Sequence, residues 1–188
     1  MPINIGQKLE SDFRNPIGIL SDCHRRIEKF LSLLIEIAEH ARGDELDGEQ
    51  RQAFEVALRY FREAAPKHTL DEEESLFPRM RNHKCAGNSK VFAALDALHT
   101  DHRAADLRHK GVDELGRAWL SEHQLPPDDT RLLIDLLNRL REMYKKHIAI
   151  EDEEIFPLAA TILDRADLKA IAREMALRRA LVPATLGL

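Results

Sequence analysis

The chain contains few of the residues that mark several large protein classes. Only two of its 188 residues are cysteine, Cys23 and Cys85, and no CxxC occurs, which excludes a disulfide framework and zinc-finger spacing. No run approaches the roughly 18 apolar residues of a membrane-spanning helix. The formal net charge of −5 favours neither nucleic acid nor an anionic membrane as a partner. The N-terminal stretch MPINIGQKLESDF lacks an apolar signal core, so we expect a cytoplasmic protein.

Glycine and proline are also scarce, at eight each, and the apolar residues follow a helical rather than a strand period. The pattern predicts four long helices, at about residues 16–42, 49–80 and 90–111 or a little beyond, and from Asp128 or Asp129 as cap to about Leu163. Pro66 lies inside the second helix and is expected to bend it. A short amphipathic helix is predicted at about 167–180.

The length suits one domain with a substantial core. We therefore predict an all-α protein, residues 1–188, that forms an up-down-up-down four-helix bundle. The bundle core spans about 16–163, and the short C-terminal helix follows it. Trp119 and the apolar face of that last helix are expected either to cover the bundle or to form a homodimer contact.

A repeated phrase divides the bundle into two similar helical hairpins. HTLDEEESLFP, which begins at His68, returns as HIAIEDEEIFP at His147. Upstream, LSDCH ends at His24 and LHTDH ends at His102, with gaps of 44 and 45 residues to the histidine of each phrase. Each hairpin therefore contributes one histidine and then a His-x-x-x-Glu.

The four-residue step places both members of each His-x-x-x-Glu on one helix face. His68 and Glu72 can then reach one point, and His147 and Glu151 can reach it from the facing helix. Because each residue turns an α-helix by about 100°, the acids that follow, Glu73, Glu74, Asp152 and Glu153, are predicted to face solvent. One acid in each copy of the phrase is expected to be buried.

Two carboxylates and four imidazoles on one bundle axis require a compensating charge, because a buried ionised carboxylate costs several kcal/mol. Metal cations supply it, and nitrogen and oxygen ligands without thiolate suit iron, manganese or zinc. Two carboxylates can bridge two metals, with two histidines left to cap each ion. A structural bundle that uses histidine as core filler explains six polar residues on inward faces poorly. Ferritin-like proteins use Glu-x-x-His, a spacing that no histidine here has.

These motifs, together with DCHRRIEKFL and TDHRAADL, resemble the hemerythrin-like family, the HHE cation-binding domain, over about residues 16–163. The resemblance implies a four-helix bundle with a non-haem di-iron site. It implies four nitrogen ligands and two bridging carboxylates, namely His24, His68, His102, His147, Glu72 and Glu151. This ligand set is most similar to the repair-of-iron-centres branch. The second histidine that oxygen carriers place on the third helix is replaced here by Leu98 or Asp106.

For other residues near the predicted site, the sequence allows two roles each. Glu28 and Asp106 lie four residues after His24 and His102, and are expected either to orient those imidazoles or to form surface salt bridges. Tyr144 lies one turn before His147 and is either a hydrogen-bond donor to a bound ligand or a core residue. His99 and the remaining histidines are expected at the surface or the rim.

The function predicted first is a non-haem di-iron protein that binds or senses oxygen, nitric oxide or peroxide. A second interpretation is an iron donor that repairs damaged iron centres, or an enzyme that reduces nitric oxide or peroxide with a redox partner protein. A third is a metal store or a structural zinc bundle, with zinc or manganese in place of iron.

Overall fold

A computed structural model describes residues 11–83 and 89–181, and all regular secondary structure within these two ranges is helical. Cys85 and the N-terminal stretch to residue 10, from which the cytoplasmic location was predicted, lie outside the described residues. The first two α-helices are α1 (Pro16–Ala41) and α2 (Gly48–Glu63). No helix in the described ranges is long and apolar enough to cross a membrane.

The second bundle helix is built from four successive pieces. After α2 come α3 (Ala65–Leu70), a π-helical turn called π1 (Asp71–Leu76) and α4 (Phe77–Asn82). The predicted bend at Pro66 is confirmed as a break at Ala64, and the buried face moves by one residue there, since Ala64 is exposed and Ala65 is buried.

The second hairpin begins with the long helix α5 (Ser89–Glu122). The fourth bundle helix consists of α6 (Pro127–Ile150), a second π-helical turn called π2 (Glu151–Ile155) and α7 (Phe156–Ile162). Helix α8 (Arg165–Arg178) follows. Because α1 contacts α2 and α6, and α5 contacts the same two helices, the four long elements close into the predicted bundle.

Two predicted boundaries of the second hairpin were wrong. Helix α5 continues to Glu122 instead of ending at Gly111 or a little beyond, and both Gly111 and Gly116 lie inside it. A Cβ atom on Gly116 would lie 2.7 Å from Leu58 Cδ1, so glycine lets α5 approach α2 closely. Pro126 occupies the N-cap of α6, and the expected caps, Asp128 and Asp129, lie in the first turn, where they favourably face the positive end of the helix dipole.

The core consists of two apolar clusters, with the predicted site between them. On α1, Leu20 belongs to one cluster and Ile27 to the other, and His24 lies between them. On α5, Leu98 and Ala105 flank His102 in the same way. The bundle therefore has apolar layers on either side of one polar layer.

Two further expectations are decided by this packing. Trp119 is buried at 1% exposure and donates a hydrogen bond from Nε1 to the carbonyl of Asp44 at 3.0 Å, so it is a core residue. The expectation that each acidic run buries one carboxylate was wrong for the first run, because Asp71 is fully buried as well. It accepts from Arg178 Nη1 at 2.9 Å and Arg179 Nη2 at 2.6 Å, which join the C-terminal end of α8 to π1.

Candidate metal centre

The structure brings all six predicted ligand residues into the polar layer of the bundle. They come from α1, α3, π1, α5, α6 and π2, and each is no more than 8% exposed: His24, His68, Glu72, His102, His147 and Glu151. The Nε2 atoms of the imidazoles point toward the two carboxylates. The shared direction of these donors defines a single centre.

The donors divide into two groups, each with the two histidines of one hairpin. His68 Nε2 lies 3.3 Å from Glu72 Oε1, and His24 Nε2 lies 3.1 Å from Glu151 Oε2. The ligand atoms of one group, His24, His68, Glu72 and Glu151, lie within 4.8 Å of one another.

The other group contains His102, His147 and Glu151, again within 4.8 Å. Glu72 reaches it too, because its Oε2 lies 3.3 Å from His102 Nε2 while its Oε1 faces the first group. Both carboxylates thus contact histidines of both hairpins, which is the arrangement that bridging ligands between two cations require.

Each glutamate lies at the start of a π-helical turn, a feature that the helical periodicity did not predict. The N–H of Phe77 donates to the carbonyl of Glu72, and the N–H of Phe156 donates to that of Glu151, five residues back in each case. Such turns insert an additional residue into an α-helix and often mark functional sites. The wider turn also changes the direction of the acids that follow.

The acid directly after each glutamate hydrogen bonds to a histidine of the opposite hairpin. His102 Nδ1 lies 2.9 Å from Glu73 Oε1, and His24 Nδ1 lies 3.0 Å from Asp152 Oδ1. An imidazole that donates from Nδ1 to a carboxylate keeps Nε2 free of a proton and correctly oriented for a metal.

The prediction that Glu73 faces solvent was therefore wrong. Asp152 is 36% exposed, but its carboxylate also contacts a histidine of the site. Glu28 is exposed, and Asp106 forms a surface salt bridge with Lys110 at 2.7 Å, one of the two roles predicted for it. The sequence signal for these two contacts was the acid that directly follows the glutamate in both copies of the repeated phrase, Glu73 and Asp152.

The phenylalanine of each Phe-Pro pair also crosses to the opposite hairpin. Phe156 stacks on His24 with ring centroids 5.3 Å apart, and Phe77 lies parallel to His102 at 6.3 Å. The repeated phrase thus supplies, five residues after its glutamate, an aromatic wall for an imidazole of the other half. This contact restricts the rotation of both rings.

The two halves differ at the remaining histidines. His147 Nδ1 lies 3.4 Å from Asp101 Oδ2, whereas His68 Nδ1 is buried without a hydrogen-bond partner among the described residues. The position that matches Asp101 in the first hairpin is Cys23, which is buried and cannot act as a carboxylate acceptor. The imidazole of His68 is therefore less firmly oriented.

Electrostatics at His24 and His102, the histidines that contact Asp152 and Glu73, favour protonation in the absence of a cation. Burial lowers the pKa of His24, but its hydrogen bond to Asp152 and the nearby carboxylate of Glu151 outweigh burial and raise it to about 10. Burial also lowers the pKa of His102, but the carboxylate of Glu72 outweighs burial and raises it to about 9. A bound cation has to displace these protons.

The two carboxylates shift in opposite directions. Burial and the negative charge of Glu151 raise the pKa of Glu72 to about 7. Burial opposes the change at Glu151, yet the neighbouring imidazoles of His147 and His24 lower its pKa. Two neighbouring buried carboxylates avoid simultaneous ionisation in this way, and a cation between them removes the conflict.

The donor set fits divalent metal. Both oxygens of Glu72 and of Glu151, and Nε2 of His24, are buried without a hydrogen-bond partner in the parts of the chain that the structure describes. Buried polar atoms are normally satisfied, so a cluster of orphaned oxygens and nitrogens facing one another indicates an ion. Imidazole and carboxylate ligands suit iron, manganese and zinc.

A cavity of about 440 Å³ leads from the centre to the surface between α3 and α5. All four ligand histidines line its inner end, and exposed residues such as Leu107 and Arg103 line its outer end. A site with such access can bind a small molecule, in contrast to the closed coordination typical of structural zinc.

Tyr144 lies on this cavity, buried, with its ring edge toward His147 at a centroid separation of 6.3 Å. Its hydroxyl lies 2.9 Å from Nε2 of His109, which the sequence placed at the surface or rim. His109 instead stacks on Phe61, and burial lowers its pKa to about 4 despite the nearby charge of Asp106. His99 is exposed, as expected, and lies 2.8 Å from Glu73.

Comparison with known proteins agrees with this centre. An uncharacterized protein of Haemophilus influenzae is 25% identical over 167 residues, which cover 89% of this chain and 91% of the relative. The sequence model of the hemerythrin HHE cation-binding domain matches residues 15–175, a range that contains all six buried donors. The chain therefore belongs to the hemerythrin HHE cation-binding domain family.

Proposed function

We propose that this protein holds two iron ions at the candidate metal centre and binds or senses oxygen, nitric oxide or peroxide there. The observation that carries the proposal is the division of the donors into two groups that share Glu72 and Glu151. Family membership supports cation binding. Iron in such a site supplies an open coordination position and a change of redox state.

The chain's own residues would prepare the site for that chemistry. His24 and His68 would hold one ion, and His102 and His147 the other, each through Nε2. Glu73 and Asp152 accept hydrogen bonds from Nδ1, which fixes the ring orientation and increases the electron density at Nε2. Two divalent ions against two carboxylates leave a net positive charge, which favours anionic oxygen ligands.

The cavity supports a ligand-binding function over a metal store or a structural zinc bundle. A structural or storage site has no need of an apolar passage that reaches all four histidines. Iron donation, repair of iron centres or reduction of nitric oxide or peroxide would use the same centre. Burial raises the pKa of the Cys23 thiol, so this cysteine lends no support to a thiol-dependent version of these reactions.

The metal assignment is tested by the iron content of Glu72→Ala and Glu151→Ala after identical loading. Loss of one bridging carboxylate should weaken binding by roughly 10–100-fold or more, judging by the size of ligand-shell effects. Glu154→Ala is the matched control, since this glutamate lies in π2 but is exposed. Wild-type iron content in both site variants would remove the proposal.

The function is tested by the visible spectrum of the iron-loaded, reduced protein before oxygen, with oxygen and after its removal. A band that appears with oxygen and disappears on its removal supports a carrier or sensor. Irreversible oxidation favours the redox or repair functions. A colourless, redox-silent protein that is stable with zinc supports the store or structural bundle.

A further inference from the structure

The cavity at the metal centre is much larger than the diatomic ligands require. Its volume of about 440 Å³ is many times the roughly 10–15 Å³ that a cavity needs to hold one water molecule. Pockets for organic ligands have volumes of about 300–1,000 Å³. The size therefore suits an organic molecule rather than oxygen or nitric oxide alone.

The cavity is elongated, because it follows two turns of α5 from His102 to His109. Seven residues of α-helix correspond to about 10 Å. Between these ends the buried part of the wall is apolar and is contributed by all four long elements of the bundle, whereas the charged lining residues Arg103 and Asp106 are exposed. Ile27, Phe61, Ala105 and Ile148 line it there. An apolar body of several carbon atoms matches this middle section.

At the far end of the cavity, Tyr144 and His109 form a hydrogen bond that leaves one donor hydrogen of the pair unused. His109 is neutral at physiological pH, so its ring has one N–H, and Tyr144 has one O–H. The pair forms one hydrogen bond, in which His109 Nε2 and the Tyr144 hydroxyl oxygen lie 2.9 Å apart, so only one of the two hydrogens takes part. Nδ1 of His109 is buried without a partner among the described residues. Whichever group donates, one donor hydrogen of the pair is left over.

We infer that this cavity is a binding site for a neutral, mostly apolar organic molecule with one hydrogen-bond-accepting oxygen, in the class of an alkyl or aryl alcohol or ketone. The oxygen accepts from the Tyr144–His109 pair, and the carbon body lies against the apolar wall toward the histidines of the metal centre. The inference rests on the proposed function only in placing a metal centre at the inner end of the cavity.

Cumyl alcohol is a suitable probe, because it joins an apolar aryl body to a single hydroxyl oxygen. We expect it to bind the purified full chain, with and without added zinc, in a calorimetric titration. In spectra of isoleucine methyl groups, Ile27 and Ile148 should shift, while Ile35 and Ile171, which do not line the cavity, should not. Absence of binding at millimolar probe, or shifts spread over all four, overturns the inference.

Three variants locate the probe. Tyr144→Phe or His109→Phe should weaken it roughly threefold to tenfold, the equivalent of one hydrogen bond, whereas Tyr60→Phe, outside the cavity, should have no effect. Ala105→Phe fills the apolar section and should weaken binding at least tenfold. Unchanged affinity in both Tyr144→Phe and His109→Phe overturns the assignment, since either member of the pair can hold the free hydrogen. If Ala105→Phe does not fold, the wild-type methyl shifts still decide.

Metal content measured on the same samples separates this inference from the proposed function. Probe binding by a protein that takes up no metal contradicts the proposed function and supports the cavity assignment. Stoichiometric metal without probe binding contradicts only the inference about the organic ligand.

Discussion

The sharpest prediction compares two adjacent glutamates in π1 that the sequence pattern treats alike. Glu73 is 24% exposed, and its Oε1 lies 2.9 Å from His102 Nδ1, whereas Glu74 is 59% exposed and contacts Arg178 at 3.2 Å. Replacing Glu73 by glutamine keeps its shape and removes its charge. The imidazole then donates to a weaker acceptor, and its Nε2 becomes a poorer metal ligand.

Removal of such a partner typically lowers metal affinity by about 10–100-fold, or about 1.4–2.8 kcal/mol. We therefore expect Glu73→Gln to lose metal affinity in this range. Glu74→Gln should have the affinity of the wild type, because a surface ion pair contributes no more than about 1 kcal/mol and does not touch the centre.

The assay is competition against a chromophoric chelator at constant pH, with zinc and with ferrous iron under anaerobic conditions. Asp152→Asn provides an independent repeat in the other half, since its carboxylate accepts from His24 at 3.0 Å. Equal affinities for Glu73→Gln and Glu74→Gln would refute the reasoning that the cross-hairpin carboxylate tunes the ligand.

Three further predictions concern stability. The double change Arg178→Ala with Arg179→Ala leaves the buried Asp71 carboxylate without its two cationic partners, and should lower the free energy of unfolding in urea by about 3–5 kcal/mol; a loss below about 1 kcal/mol contradicts this. The pKa of His109 is lowered to about 4 in the folded chain, so the unfolded chain binds more protons between about pH 4 and 6.5, and stability from this residue, present above about 6.5, is lost as the pH falls through that window. His109→Gln should therefore flatten the pH dependence of unfolding there, whereas the exposed His40→Gln should not. Removal of metal by chelation should lower the melting temperature, because the buried carboxylates lose their counter-charge, and an unchanged melting curve would indicate a core independent of metal.

The sequence by itself determined the helical bundle and the six inward donors. Both results depend on local periodicity, since a step of three or four residues fixes which side chains share a helix face. The repeated phrase added the correspondence between the hairpins. The same step of three, counted from the buried Phe61, predicts Ala64 on the inward face, but a break in the helix there shifts the buried face to Ala65.

Only the tertiary structure decided which acids support the centre. Asp152 meets a histidine 128 residues earlier, and Glu73 meets one 29 residues later, because π-helical turns and the packing of opposite hairpins bring them together. Asp71 is buried for a similar reason, since α8 carries Arg178 and Arg179 to it. A period read along one helix contains no information about a partner on another, so these contacts are determined by how the helices pack.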